Sequence, residues 1–279
     1  MPYSAEISRT APSCFLFLID QSGSMGDGFT VDAGKKKSEG VADAINKLLQ
    51  NLVIRCAKED GVRDYFHVGV IGYGTTVGSA YGGSLRGRDM VPISEIANSP
   101  ARIEERTKKT DDGAGGLLDQ TIRFPIWFEP VANGGTPMCR AFSQARNLIQ
   151  SFVSQHPDCY PPVVINITDG ESTDGSPTTA MHDLSAIQST DGNVLLFNLM
   201  LSNNPNASPM AFPDSENALP DEYAKLLFEA ASPLTTFMRS VAAEHGFSLT
   251  DGSRGFVLNA DLVLIIQALD IGTRPSNLR

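Results

Sequence analysis

The stretch Cys14-Phe-Leu-Phe-Leu-Ile19-Asp20-Gln-Ser22-Gly-Ser24 decides the fold. Its first six residues are apolar without alternation, whereas a strand with one wet face alternates. A short continuous apolar run reads as a strand buried on both faces, the setting of a parallel sheet covered by helices on either side. The run stops at Asp20, with Ser22 and Ser24 at every second place beyond it. The same design returns at Pro162-Val-Val-Ile-Asn-Ile-Thr168, which stops at Asp169-Gly170. Tyr65–Tyr73 and Asn193–Leu201 read as further strands.

Helical patterns separate these runs. Between Asp32 and Lys58, Val41, Ala44, Ile45, Leu48, Leu49 and Leu52 recur at helical spacing. Pro137 suits the first position of a helix running on to Gln155, with Thr136 as its N-cap. Ser176–Ser189, 222–230, 233–245 and Ala260–Ala268 read as helices, and Phe256-Val-Leu258 as a last short strand. Strand and helix alternate with crossovers long enough for βαβ units. The expected fold class is therefore α/β: an open, mostly parallel, doubly wound sheet flanked by helices on both faces, with one antiparallel edge strand at Thr75–Leu85. The expected organisation is an N-terminal tail over 1–11, a single domain over 12–270 with insertions near 80–130 and 202–222, and a C-terminal tail over 271–279. Residues 86–123, with glycines and mixed charges, read as a long loop, and Pro125 limits Ile122–Phe128 to an edge strand.

Composition narrows the function. The 279 residues carry 22 Lys plus Arg against 32 Asp plus Glu, a formal net charge of −10. Such a balance repels nucleic acid and anionic membranes, so neither is expected as a partner. No apolar run approaches the roughly 20 residues of a bilayer span, so no membrane insertion is expected. No basic, long apolar leader opens the chain, so a cytoplasmic protein is expected. Cys14, Cys56, Cys139 and Cys159 show no paired spacing and read as free thiols.

In open α/β sheets, ligands bind beyond the carboxyl ends of the strands. Three loops belong there: Asp20-Gln-Ser22-Gly-Ser24, Gly134-Gly135-Thr136 and Asp169-Gly170. The side chains of Asp20, Ser22, Ser24, Thr136 and Asp169 offer oxygen and neither nitrogen nor sulfur. That donor set suits a hard cation, Mg²⁺ before Mn²⁺ or Ca²⁺. With only two carboxylates in the set, a bound ion stays electrophilic and is completed by an acidic group from outside.

These segments resemble the von Willebrand factor type A (vWA) family. FLFLIDQSGSM at 15–25, GGTPM at 134–138 and ITDG at 167–170 are similar to the three parts of that family's metal-ion-dependent adhesion site (MIDAS): Asp-x-Ser-x-Ser, a Thr and an Asp. The resemblance implies a central sheet flanked by helices and ion contacts through Ser22, Ser24 and Thr136. It implies that Asp20 and Asp169 bind directly or through water. It further implies a non-catalytic protein–protein interaction module whose protein partner supplies a carboxylate. In length the chain looks like short intracellular bacterial members.

Other motifs fail. Gly28–Lys36 is one residue too long for a P-loop and lacks its Ser or Thr. Gly72-x-Gly74-x-x-Val77 lacks the third glycine of a dinucleotide fingerprint, and Asp169–Asp174 breaks the EF-hand ligand order. Lys35-Lys36-Lys37 reads as a solvated helix start. Trp127 reads as core, and 202–222 as a loop on the metal face that sets specificity. The alternative function is a Mg²⁺-dependent hydrolase of phosphatase type, with Asp20 in the place of a nucleophile. Against it, position 22 is Ser rather than a second Asp, and no Lys or His is assigned to the metal loops.

Overall fold

In the computed structural model, which describes residues 2–28, 34–111, 117–201, 208–275 and 278, the elements follow in this order. They are β1 (Ser13–Asp20), α1 (Lys37–Cys56), β2 (Phe66–Tyr73), β3 (Val77–Ser79), β4 (Val91–Pro92), α2 (Ile93–Asn98), β5 (Arg102–Asp111), β6 (Leu117–Ile126) and α3 (Met138–Gln155). Then come β7 (Val163–Thr168), α4 (Thr178–Ser185), β8 (Leu195–Leu201), β9 (Met210–Ala211), α5 (Glu222–Ala230), α6 (Thr236–Glu244), β10 (Phe256–Ala260) and α7 (Leu262–Thr273).

Eight strands form the main sheet in the order β9-β10-β8-β7-β1-β2-β3, with β4 also paired to β2. The five central strands are parallel. Antiparallel strands close both margins, β3 and β4 on one side and β9 on the other, rather than one edge alone. The α/β, mostly parallel sheet flanked by helices is thus the architecture of the chain.

β1 explains why both faces are covered. Phe15, Phe17 and Ile19 enter one core with Val41, Ile45 and Leu49 of α1 and Ile265 and Leu269 of α7. The intervening Cys14, Leu16 and Leu18 enter a second core with Ala141, Phe142 and Ile149 of α3 and Met181 and Leu227 beyond it. Successive side chains point to opposite faces, so a strand wedged between two helical layers must be apolar at every position.

Local differences from the sequence expectations have physical causes. Residues 102–111 and 117–126 form an antiparallel pair, β5 on β6, over ten positions from Arg102↔Ile126 to Asp111↔Leu117. β5 carries Ile103 as its one apolar residue, so no apolar pattern marks it, whereas β6 alternates at Ile122, Phe124 and Ile126. The pair is held to α1 by Arg106, which lies 2.9 Å from Asp43 and stacks 3.9 Å over Phe124. Pro125 is accommodated because this ribbon has open edges. Trp127 is buried and its indole N–H donates to the Ile96 carbonyl (2.7 Å), as expected of a core residue. The N-terminal segment is tied down. Ile7 is buried, and Asp191 accepts from the peptide N–H groups of Ser4 and Ala5. α7 continues to Thr273 because Ile271 and Thr273 are buried. The expected specificity loop at 202–222 falls partly outside the described residues, which resume at 208; β9 lies within it. Among the described residues, no helix is long and apolar enough to cross a membrane. All four cysteines are free, and Cys14, Cys56 and Cys159 are buried.

Candidate metal centre

The sheet order places a topological switch point at β1. From it the chain crosses to β2 on one side and later returns to β7 on the other. The crevice beyond the carboxyl ends of β1 and β7 is where such sheets take ligands. Asp20 ends β1, and Asp169 directly follows β7.

Asp20 is fully buried, and both its oxygens accept hydrogen bonds from the chain: Oδ1 from the Ser22 peptide N–H (2.8 Å) and Oδ2 from the Thr168 hydroxyl (2.7 Å). The first bond tightens the turn that swings Ser22 and Ser24 to one side. Burial pushes the Asp20 carboxyl up to about 6, against the downward pull of the Thr168 and Ser22 hydrogen bonds and with a smaller push from Asp169. Ser22 and Ser24 hydroxyl oxygens lie 3.0 Å apart, and Ser24 donates to Asp169 Oδ1 (2.7 Å). Four of the five expected residues therefore form one connected cluster, from a chain separation of up to 149 residues (169 − 20).

The loop that carries Thr136 joins it through backbone. Gly23 N–H donates to the Gly134 carbonyl (3.0 Å), and Asn133 N–H to the Gln21 carbonyl (2.6 Å). Gly134 adopts φ +92° and packs against the β2–β3 turn, with Thr75 N just 2.5 Å from where a Cβ would stand. Thr136 is buried, but it is not an N-cap. α3 begins at Met138, one residue later than expected, with Pro137 at the cap position. Asp174 takes over the capping: its carboxylate accepts from the first turn at Cys139 N (2.9 Å) and Arg140 N (3.1 Å). Thr173 clamps the same loop, accepting from Thr136 N–H (3.0 Å) and donating its own N–H to the Thr136 carbonyl (2.9 Å). The expected capping role of the Thr136 hydroxyl is thus replaced from a distant segment.

Lys37 is the residue the sequence reading misplaced. It opens α1 and is only 2% exposed, and its Nζ lies 2.9 Å from Asp169 Oδ2. It is not part of a solvated helix start. Its backbone N–H donates to the Asp27 carbonyl (2.9 Å), which ties the helix start to the Ser22–Ser24 turn. Lys35, two residues away, pairs with Asp43 at the surface. The three lysines differ in environment although identical in type, and no periodicity separates them. Thr168, Thr173 and Asp174 were also missed, because Thr and Asp after a strand are ordinary turn residues.

Beneath the cluster, Tyr73 donates to Asn166 Oδ1 (2.7 Å), Asn166 Nδ2 to Asn198 Oδ1 (3.1 Å) and Asn198 Nδ2 to the Leu227 carbonyl (2.8 Å). This buried chain is satisfied at each link and ties β2, β7, β8 and α5 together under the strand ends.

The donor chemistry fits a small hard cation. An octahedral Mg²⁺ shell at roughly 2.0–2.1 Å sets adjacent ligand oxygens about 2.9 Å apart. The Ser22–Ser24 and Ser24–Asp169 separations of 3.0 and 2.7 Å bracket that value. Among the described residues, no group of three or more His, Cys, Asp or Glu is disposed to hold a metal. The candidate centre instead combines two carboxylates with neutral hydroxyls.

No family model matches the chain, and no curated protein matches it. Among solved structures, it is similar to the vWF domain of the type V pili tip protein Mfa5 from Porphyromonas gingivalis. The identity is 13% over 58% of this chain and 39% of that one, with a TM-score of 0.33. It is similar to the ArnB paralog VWA2 from Sulfolobus acidocaldarius, at 13% identity over 70% of this chain and 36% of that one, TM-score 0.37. The PilB minor pilin from Streptococcus sanguinis gives 11% identity over 58% and 30%, TM-score 0.31. The chain thus spans well under two thirds of the length of each.

Proposed function

We propose that the crevice beyond β1 and β7 is a divalent-cation-dependent protein-interaction site, non-catalytic, with Mg²⁺ or Mn²⁺ as the ion. The carrying observation is the run of oxygens Ser22–Ser24–Asp169, spaced 3.0 and 2.7 Å at the switch point of the sheet. The ordered likeness of Asp20-x-Ser22-x-Ser24, Thr136 and Asp169 to a vWA adhesion site supports the same reading. Ser22, Ser24 and Thr136 offer neutral oxygens, Asp169 a charged one, and Asp20 holds the turn from within. Ser24 is exposed, so the cluster is open to a partner from outside. When bound, the ion supplies an electrophilic centre for a carboxylate of the partner. It also offsets the repulsion between that carboxylate and a chain of net charge −10.

Thermal unfolding with increasing Mn²⁺ or Mg²⁺ tests this. A ligand that binds the native state alone raises the midpoint as its concentration passes the dissociation constant. The midpoint is expected to rise in wild type, to fall back on chelation, and to respond far less in Ser24→Ala. That variant removes one exposed hydroxyl and its hydrogen bond to the Asp169 carboxylate, at a cost to the fold of about 1–3 kcal/mol. A flat midpoint into the millimolar range defeats the proposal, as does robust Mg²⁺-dependent phosphatase turnover abolished by Asp20→Asn.

A further inference from the structure

We propose that Lys37 is an internal counter-ion that sets how tightly the strand-end cluster takes a divalent cation, an inference that rests on the cation-binding reading above. The two oxygens of Asp169 face different groups. Oδ1 accepts from Ser24, on the side of the hydroxyl cluster, and Oδ2 takes the Lys37 ammonium at 2.9 Å. A cation that engages the cluster therefore shares one carboxylate with a buried positive charge. The two carboxylates bring a charge of −2, and Lys37 reduces it to −1. Oxygen sites for hard cations are tuned over orders of magnitude by the charge count of the ligand set. Burial keeps water from screening this effect.

Burial also assigns the direction in which Lys37 acts. At 2% exposure its ammonium cannot serve as the contact for a partner's carboxylate; it acts inward, on Asp169. Because Lys37 is the first residue of α1, and its backbone N–H is bound to Asp27, its stem is anchored at the base of the metal turn. The device has two consequences. The cluster is held in shape by an ion pair before any metal arrives, and the metal is taken more weakly than the five-residue set alone would take it. An interaction of this kind engages and releases with changes in divalent concentration instead of holding its ion permanently.

The test compares wild type, Lys37→Met, Lys37→Gln and Lys37→Arg by Mn²⁺ titration, read from water-proton relaxation, with thermal midpoints in EDTA and in millimolar Mn²⁺. Both neutral variants are expected to bind Mn²⁺ more tightly by on the order of tenfold or more. They are also expected to melt lower in EDTA and to gain more from Mn²⁺ than wild type, while Lys37→Arg stays close to wild-type affinity. If Lys37→Met does not fold in EDTA, recovery of folding by Mn²⁺ supports the proposal and absence of recovery overturns it, with Lys37→Gln read in the same way. Wild type and folded neutral variants binding Mn²⁺ within a factor of three of one another overturn the Lys37 inference alone. No Mn²⁺ binding by any of the four overturns the cation-binding reading and this inference together.

Discussion

The two ends of β1 are equally buried and are built from opposite chemistry. At the amino end, Ser13 donates to the Tyr160 carbonyl, Cys14 sits 3.7 Å from the Met90 sulfur, and His67 packs against Phe152 and His156. Titratable groups there are pushed toward their neutral forms. Burial lowers His67, with His156 adding to it and Asp64 opposing, and burial raises Cys14 well above its ordinary range. At the carboxyl end, burial raises Asp20 in the same way, yet Asp169 is held within 2.9 Å of a buried ammonium and beside an open hydroxyl cluster. Burial alone therefore does not mark a site. A buried charge costs several kcal/mol unless it is paired, so a pair kept in a core that could have been apolar points to a task other than stability.

The largest expected effect that sharpens this contrast is Asp169→Ala. It leaves the Lys37 ammonium buried without its carboxylate and is expected to destabilise the protein by about 3–5 kcal/mol in chemical denaturation. A loss below about 1 kcal/mol would show that the two ends of β1 do not differ as described. For the same reason Asp169→Ala is a poor probe of metal binding, and Ser24→Ala the better one. Next in size is Gly134→Ala, which forces a side chain into φ +92° against the Thr75 backbone. It is expected to cost about 2–4 kcal/mol and to abolish the response of the melting midpoint to Mn²⁺, because the Thr136 loop must move off the Thr75 backbone. A variant with wild-type stability and an intact Mn²⁺ response would break the link between that close approach and the cluster.

The smallest effect belongs to the amino end. A histidine whose native pKa is lowered favours folding in its neutral form. That contribution is complete above its unfolded value near 6.5 and is lost as pH falls from there through the lowered native pKa. His67→Gln should flatten the acid-side decline in stability by under about 1 kcal/mol, given the partial exposure of the ring. Denaturation midpoints at pH 7 and pH 5 measure it, and an unchanged slope would assign the acid sensitivity to His156 or to other groups.

How much was legible varied with how local the signal was. The buried runs Cys14–Ile19 and Val163–Thr168 and the α1 stripe Val41–Leu52 became elements with the expected faces inward. Each is a continuous pattern that one element reads along its own length. β5 and the first half of β6 were read as loop, and only Ile122–Phe128 as an edge strand, because the order of the ribbon comes from backbone pairing and from Arg106 on Asp43 and Phe124, contacts to residues that sequence distance hides. The start of α3 was placed one residue early because Thr136 is a good local cap. Asp174, arriving from beyond β7, won the N–H groups instead.

By itself the sequence determined the sheet with two covered faces and the three loops at the ends of its strands, since hydrophobic periodicity and strand ends are properties of consecutive residues. Only the tertiary structure decided which lysine of three is buried, which oxygens stand within 3.0 Å of each other, and that the Thr136 peptide is clamped by Thr173. Burial and hydrogen-bond partnership are set by what the rest of the chain places around a residue. Lys36 is exposed while Lys37, one position on, meets a carboxylate that follows a strand more than a hundred residues away.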